Sequence, residues 1–118
     1  MALSLACRRA MLDAQFHNGT VYGSLYTASG GADGSNEIAA SGRVLLSFAA
    51  ADASAVTATD ADATFAAMTG TVTPTHVGLW SAVSAGTWQG EMEIADAQAL
   101  DAGESAVFGA GTISVTAE

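Results

Sequence analysis

Positive charge is scarce in this chain of 118 residues, which has no lysine and only three arginines, Arg8, Arg9 and Arg43. Twelve acidic residues oppose them, and the formal net charge is −9. Nucleic-acid binding depends on clustered basic side chains that release counterions from phosphates. We therefore expect no nucleic-acid partner.

Cysteine is equally scarce, because Cys7 is the only one in the chain. A disulfide framework needs pairs, so a disulfide-stapled scaffold is excluded. A chain of this length buries roughly two thirds of its unfolded surface, which is enough for one hydrophobic core. We expect a single domain, 1–118, with a helix and turn in residues 1–18 and a β domain in residues 19–118.

Long apolar runs are missing as well. None approaches the ~18 residues that a membrane span requires, so we expect a soluble protein with no membrane partner. The apolar start Met1–Cys7 has no basic residue before it and ends at Arg8. Such a run is too short for a secretory leader, and we expect no signal peptide.

Catalytic patterns are also absent. The side chains of Cys7, His17 and His76 belong to no recognisable nucleophile motif, and Gly109-Ala110-Gly111 lacks the third glycine of a dinucleotide loop. Neither paired cysteines nor closely spaced histidines suggest zinc. We expect no enzymatic activity and no cofactor.

Calcium is the better metal candidate, since two segments place oxygen ligands at alternate positions: Asp60-x-Asp62-x-Thr64 and Asp33-x-Ser35-x-Glu37. The first lacks the glycine and the bidentate glutamate of an EF-hand loop. Solvated turns have the same pattern, so we favour that interpretation and assign no metal ligand.

One short helix is predicted between Ser4 and Phe16. Leu5, Leu12 and Phe16 are spaced by seven and four residues and form one apolar face. Ser4 suits the N-cap, and Asn18-Gly19 suits the end of the helix. Arg8 and Arg9 lie at the margins of the apolar face, where either exposure to solvent or contact with a partner is expected.

Alternating apolar and polar residues predict strands through the rest of the chain. The predicted strands are 21–26, 43–48, 65–73, 75–80, 87–94, 107–108 and 113–115. Residues 27–42 are rich in glycine and predict a long loop, whereas residues 49–63 fit either a helix or a weak strand with turns. In 43–48 the pattern places Val44, Leu46 and Phe48 on one side, and in 75–80 it places Val77 and Leu79 inside. The cleanest alternation, in 87–94, places Trp88, Met92 and Ile94 inside and Gln89, Glu91 and Glu93 outside. This pattern predicts a mainly β fold, an antiparallel β-sandwich or a jelly-roll-like barrel with one N-terminal helix.

Charge is distributed unevenly, with a net −1 in residues 1–59 and −8 in residues 60–118. An acidic surface of this kind either docks on a basic partner or keeps the protein dispersed. We favour solubility, because charge runs are usually solvated faces.

Several segments together carry a family resemblance: Tyr22-Gly23-Ser24-Leu25-Tyr26-Thr27-Ala28, Asn36-Glu37-Ile38, Gly42-Arg43-Val44 and Thr75-His76-Val77-Gly78-Leu79-Trp80. In this order, after the helical opening, they resemble a family of small tailed-bacteriophage virion proteins, described as tail fibre, minor tail or head decoration proteins. The family tends to have a proline where this chain has Ser29-Gly30-Gly31, and an aromatic residue where it has Ser41-Gly42.

The resemblance implies a structural virion protein without catalytic residues, made in the host cytoplasm. We expect a capsid decoration or cement protein on the head surface, forming a symmetric homo-oligomer and binding the major capsid protein. A tail or tail-tip protein bound to tail proteins is the alternative. Six residues are the expected partner contacts: Arg8, Arg9, Asn36, Glu37, Arg43 and Trp80. Arg43 is also expected to hold the glycine-rich loop through its fork of donors.

A carbohydrate-binding module is a further alternative from a different class. Trp80, Tyr22 and Tyr26 offer rings on which sugars could stack, whereas Trp88 is expected in the core. His76 and Trp80 are expected to pack and hydrogen-bond within the fold.

Overall fold

The protein is described by a computed structural model that covers residues 3–116. Residues 1–2 and 117–118 of the expected domain lie outside the described part. Helix α1 (Leu5–Leu12) begins as predicted, because the Ser4 side chain accepts a hydrogen bond from the backbone N–H of Cys7 at 3.2 Å. A single π-helical turn (Asp13–His17) follows, in which the Asn18 N–H donates to the Asp13 carbonyl at 2.7 Å.

The predicted apolar face of the helix is wrong at its first position. Leu12 and Phe16 are buried, but Leu5 is 41% exposed. The helix joins the core through its last turn and the π-helical turn, where the Phe16 ring meets Phe48 at a centroid distance of 5.4 Å. Leu5 lies one to two turns earlier and stays at the surface.

Within residues 3–116, eight strands follow the helix: β1 (Val21–Tyr26), β2 (Arg43–Leu46), β3 (Val56–Ala58), β4 (Ala63–Thr64), β5 (His76–Trp80), β6 (Trp88–Glu93), β7 (Val107–Phe108) and β8 (Ser114–Thr116). A four-stranded antiparallel sheet has the order β2-β1-β5-β6. Two antiparallel ribbons, β3-β8 and β4-β7, complete the structure. The prediction of a mainly β, antiparallel fold with one N-terminal helix is confirmed.

The core lies on one face of the four-stranded sheet, against the helix and the two ribbons. Val21, Leu25, Val77 and Leu79 point into it, and each is buried. On β2 the predicted alternation holds, since Leu46 is buried and its neighbour Leu45 is exposed. We call this side of the sheet the core face.

Residues 49–63, which the pattern left open, form a turn and two short strands. The Asp52 carboxylate accepts hydrogen bonds from the Ser54 and Val56 N–H groups at 2.8 and 3.1 Å, and Ala55 adopts a positive φ of 57°. The aspartate therefore closes the turn that leads into β3, and the segment is a turn and not a helix.

The strand predicted over residues 65–73 is wrong. The ladder in this region is the short pair of β4 and β7, which ends at Thr64. Beyond it, Phe65 and Met68 donate backbone hydrogen bonds to Ala106 and Glu104, both at 2.9 Å, but they form no regular strand. Met68 is buried, so apolar packing holds the segment in an irregular path.

The predicted orientation of Trp88 is also wrong, because a β-bulge interrupts β6. Leu79 pairs with Gly90, but the next residue, Trp80, pairs with Trp88, so Gln89 is extra. An extra residue reverses which side of the sheet the preceding side chains face. Met92 stays on the core face opposite Val77, whereas Trp88 joins Trp80 on the other face.

Candidate functional site

The second face of the four-stranded sheet carries a cluster of aromatic rings. The Trp88 ring lies 5.3 Å from Tyr26 and 5.3 Å from Trp80, both in tilted arrangements. Such tilted contacts are a favourable geometry for aromatic pairs. The Trp80 indole N–H donates to the Tyr26 hydroxyl at 2.7 Å, so the predicted packing of Trp80 within the fold is confirmed. We call this side of the sheet the aromatic face.

The glycine loop, residues 27–42, covers the aromatic face. The Trp88 indole N–H donates to the Gly31 carbonyl at 3.0 Å, which links the ring to the loop. A methyl group built on Gly34 would lie 2.4 Å from the Trp80 ring, and one on Gly78 would lie 2.3 Å from the Tyr26 ring. Glycine is therefore required where the loop and β5 touch the rings.

Arg43 holds one end of the glycine loop, as its predicted fork of donors suggested. Its Nε donates to Glu37 Oε2 at 2.8 Å, and its Nη2 donates to Oε1 at 3.3 Å. Its Nη1 reaches the carbonyls of Ala82 and Ala85 at 3.0 and 2.7 Å, in the connection between β5 and β6. The guanidinium also lies 3.9 Å above the Trp80 ring, a cation–π contact.

Glu91 holds the other end of the loop. Its carboxylate accepts hydrogen bonds from the Ser29 hydroxyl and from the Gly30 N–H, the latter at 3.1 Å. His76 Nε2 lies 3.9 Å from the same carboxylate, and its Nδ1 is 2.9 Å from the Thr75 hydroxyl. The loop is thus attached to the sheet by one carboxylate of its own and one from β6.

Both carboxylates are stabilised in their charged form. Partial burial raises the pKa of Glu37, but the hydrogen bonds from Arg43, the nearby Ser24 hydroxyl and the charge of Arg43 together outweigh it, and the pKa lies below its ordinary value. The Ser29 hydroxyl lowers the pKa of Glu91 more than burial raises it, and the Gly30 N–H lowers it further. Both attachments therefore depend on ionised carboxylates.

The structure brings four of the six expected partner contacts together. Glu37, Arg43 and Trp80 form one bonded cluster. Asn36 lies beside them in an exposed position, with a positive φ of 77° and its amide donating to the Ser29 carbonyl at 3.0 Å. Whether they contact a partner stays a prediction.

The remaining two expected contacts are elsewhere. Arg8 and Arg9 are on α1, and Arg9 Nη2 donates to the Ala51 carbonyl at 3.4 Å. Cys7, on the same helix, is an exposed free thiol.

Three carboxylates of the acidic segments considered for calcium already accept hydrogen bonds within the protein. Asp33 accepts from the N–H and hydroxyl of Ser35, and Asp62 accepts from the Ala110 N–H. Glu37 is paired with Arg43. Within residues 3–116, no three His, Cys, Asp or Glu side chains are grouped so as to hold a metal ion.

Sequence reasoning missed the attachment at Glu91 and the role of Tyr26. Glu91 was expected only as an outward side chain of β6, and its partners Ser29 and Gly30 are about sixty positions away. One available signal was Gly78, a glycine between apolar residues in a strand, which marks a close approach of another group.

A family model described as podophage GP4 fiber I protein gp80 matches residues 3–116. The chain belongs to this family. The match covers the helix, the sheet and both ribbons, and it confirms the resemblance to small tailed-phage virion proteins. No curated protein matches the chain. Membership makes the chain a structural component of a tailed-phage virion. None of the helices in the described part is long and apolar enough to cross a membrane.

Proposed function

We propose that this chain is a non-enzymatic tail-fibre subunit of a tailed phage. The observation that supports this proposal is the family match, which extends over residues 3–116 and is described as a fibre protein. Because the match includes nearly the whole chain, the fibre role is proposed for the whole fold and not for an appended segment.

Head decoration, which the sequence analysis placed first, is the rival role. It shares the same structural class, and a small shell protein stabilises a capsid by adding buried area at each junction. The family is described as a fibre protein, and on that description we place the tail role first. Tail proteins are then the proposed partners, and the major capsid protein is the partner in the rival role.

The outer surface of the glycine loop is the proposed contact with the partner. Backbone polar groups in a loop stay available to a partner, whereas those in a strand are already paired with the neighbouring strand. This loop is attached at both ends by Arg43 and Glu91. An attached loop loses less conformational freedom on binding than a free one. In this proposal Asn36 touches the partner, while Arg43 and Trp80 position the loop.

The aromatic rings are less suited to sugar stacking than the sequence suggested. Tyr26 is fully buried, the Trp80 ring is covered by Arg43, and Trp88 packs on both of the other rings. Stacking on a sugar requires an open ring face. We therefore do not include carbohydrate binding in the proposed function.

Immunogold labelling of intact particles, combined with quantitative densitometry of the virion proteins, tests the role directly. Label at the tail with a few copies per particle would support the fibre proposal. Label over the whole head with many copies would replace it by decoration. Particles without label would overturn both.

A further inference from the structure

Two exposed surfaces of the molecule carry complementary groups. One is on helix α1, and the other is an open depression lined by Pro74 and Ile94 among others. The depression is next to the end of β1, because the Tyr26 carbonyl accepts from the Thr75 N–H at 2.7 Å and the Thr75 carbonyl accepts from the Ile94 N–H at 2.8 Å.

The first surface, which we call the helix tip, consists of Leu3, Leu5 and Arg9. Leu3 and Leu5 are 37% and 41% exposed, and Arg9 is exposed as well. Leu5 and Arg9 are four residues apart on α1 and therefore share a side of the helix. With Arg8 next to it, this end carries two of the three basic residues of the chain.

The second surface, which we call the acidic groove, is an open depression of about 270 Å³. Its apolar floor includes Pro74, Ile94, Leu100 and Phe108. Asp96 lies at its edge. Asp96 is the charged residue of its lining, and three further exposed acids, Glu93, Asp101 and Glu104, directly adjoin the lining residues Ile94, Leu100 and Ser105 in the chain.

The two surfaces match in chemistry. One presents exposed leucines beside Arg9, and the other presents an apolar floor with the Asp96 carboxylate at its edge. We infer that the helix tip of one copy docks in the acidic groove of a second copy. The proposed occupant is a second copy of this chain, because its helix tip offers leucines to the apolar floor and a positive charge to the acidic edge.

The contact joins two different surfaces and is therefore head-to-tail. Repetition of such a contact closes into a ring if the rotation allows it, and otherwise grows into a filament. A ring would agree with the symmetric oligomer expected from the family resemblance. The inference does not depend on whether the protein is in the tail or on the head.

A two-fold contact of either surface with itself is disfavoured. Two helix tips would bring arginines together, and two acidic grooves would bring carboxylates together. Like charges juxtaposed across an interface weaken binding strongly. The head-to-tail contact should also weaken as salt is added, since its exposed charges are screened.

Sedimentation velocity of the full chain over increasing concentration, up to about 1 mM, tests the inference, since neighbours in an assembly see effective concentrations of that order. We expect concentration-dependent association that salt weakens. Arg9→Glu and Asp96→Arg should each raise the dissociation constant by about tenfold or more. The double variant should associate again, because the charges are exchanged.

The decisive experiment mixes the Arg9→Glu and Asp96→Arg variants. An equimolar mixture of the two single variants should regain association, because the tip of each then faces a groove of opposite charge. Asp33→Arg is the matched control, since it reverses an exposed acid on the glycine loop and should leave association unchanged. Thermal unfolding of each variant checks that the fold is intact.

Three results would overturn the inference. A wild-type chain that stays monomeric at every concentration would show that the helix tip does not bind the acidic groove. Association that survives both single reversals would place the contact elsewhere. Loss of association in Asp33→Arg would move it to the glycine loop.

Discussion

The two faces of the four-stranded sheet are stabilised by different kinds of interaction. On the core face, aliphatic side chains such as Leu25 and Val77 are fully buried among other apolar groups. On the aromatic face, the glycine loop is attached through the ion pair of Arg43 with Glu37 and the hydrogen bonds of Glu91. Burial of apolar area is non-directional, whereas these bonds depend on geometry and ionisation.

The difference suggests a division of roles between stability and surface shape. The core face buries the aliphatic side chains of the sheet, and hydrophobic burial is the dominant favourable contribution to folding. The aromatic face fixes the conformation of a loop that offers polar groups to a partner. A change on one face should therefore be measurable with little effect on the other.

The largest effect is expected from Leu25→Ala. Leu25 is completely buried on β1, and removing such a side chain leaves a cavity. We expect the free energy of unfolding to fall by about 2–5 kcal/mol, measured by urea denaturation. Leu45→Ala on the neighbouring strand is the control, because Leu45 is 60% exposed and its loss should change stability by less than about 0.5 kcal/mol. Equal losses would contradict the assignment of the core face.

Arg43→Ala should be the most damaging change on the aromatic face. It removes charge-assisted hydrogen bonds to Glu37 and to two carbonyls, and it leaves a partly buried carboxylate unpaired. We expect a loss of about 1.5–3 kcal/mol in unfolding free energy. Arg9→Ala, which loses one long hydrogen bond at the surface, should cost about 0.5 kcal/mol or less. An unchanged melting temperature for Arg43→Ala would remove the loop-holding role.

Gly78→Ala tests the close packing of the rings. The added methyl group would lie 2.3 Å from the Tyr26 ring and 2.6 Å from the Trp88 ring, so the aromatic cluster must shift. We expect destabilisation of about 1–3 kcal/mol with a changed near-ultraviolet circular dichroism spectrum. Gly70→Ala is the control, because nothing lies within 4 Å of its added methyl group. A native spectrum for Gly78→Ala would show that the rings are not packed this closely.

The smallest effect is a loosening of the glycine loop in acid. The ordinary pKa of both Glu37 and Glu91 is 4.5, and the folded protein lowers both values. Their contribution to stability is therefore complete above that pH, and it is lost as the pH falls through the lowered values. Tryptophan fluorescence should change in this acidic range before global unfolding. The combined Glu37→Gln and Glu91→Gln variant should lose this change, and its persistence would assign the transition to other groups.

The sequence predicted best those strands whose alternation is uninterrupted. In β5, one residue separates Val77 from Leu79, and both side chains point to the core as expected. In β6 the same rule failed, because the extra residue Gln89 lies in a pattern that is equally regular without a bulge. Only the pairing with β5 shows where the register changes, and that pairing is a tertiary property.

Of the contacts that hold the glycine loop on the aromatic face, the sequence predicted one and missed the other. Arg43 was found because an arginine beside a glycine-rich loop has enough donors to hold it. Glu91 was not found, since nothing in its neighbours along the chain indicates a contact with Ser29. Contacts between distant segments depend on how the loop folds back, and local periodicity carries no information about that path.

The bulge at Gln89 has the effect of a shift in reading frame. Strand side chains repeat every two residues, so one added residue moves everything before it into the other frame. Met92 is in the frame of the core, and Trp88 is in the frame of the loop. A single strand thus serves two surfaces, and substitutions at Trp88 can remodel the outer surface while the interior keeps its composition.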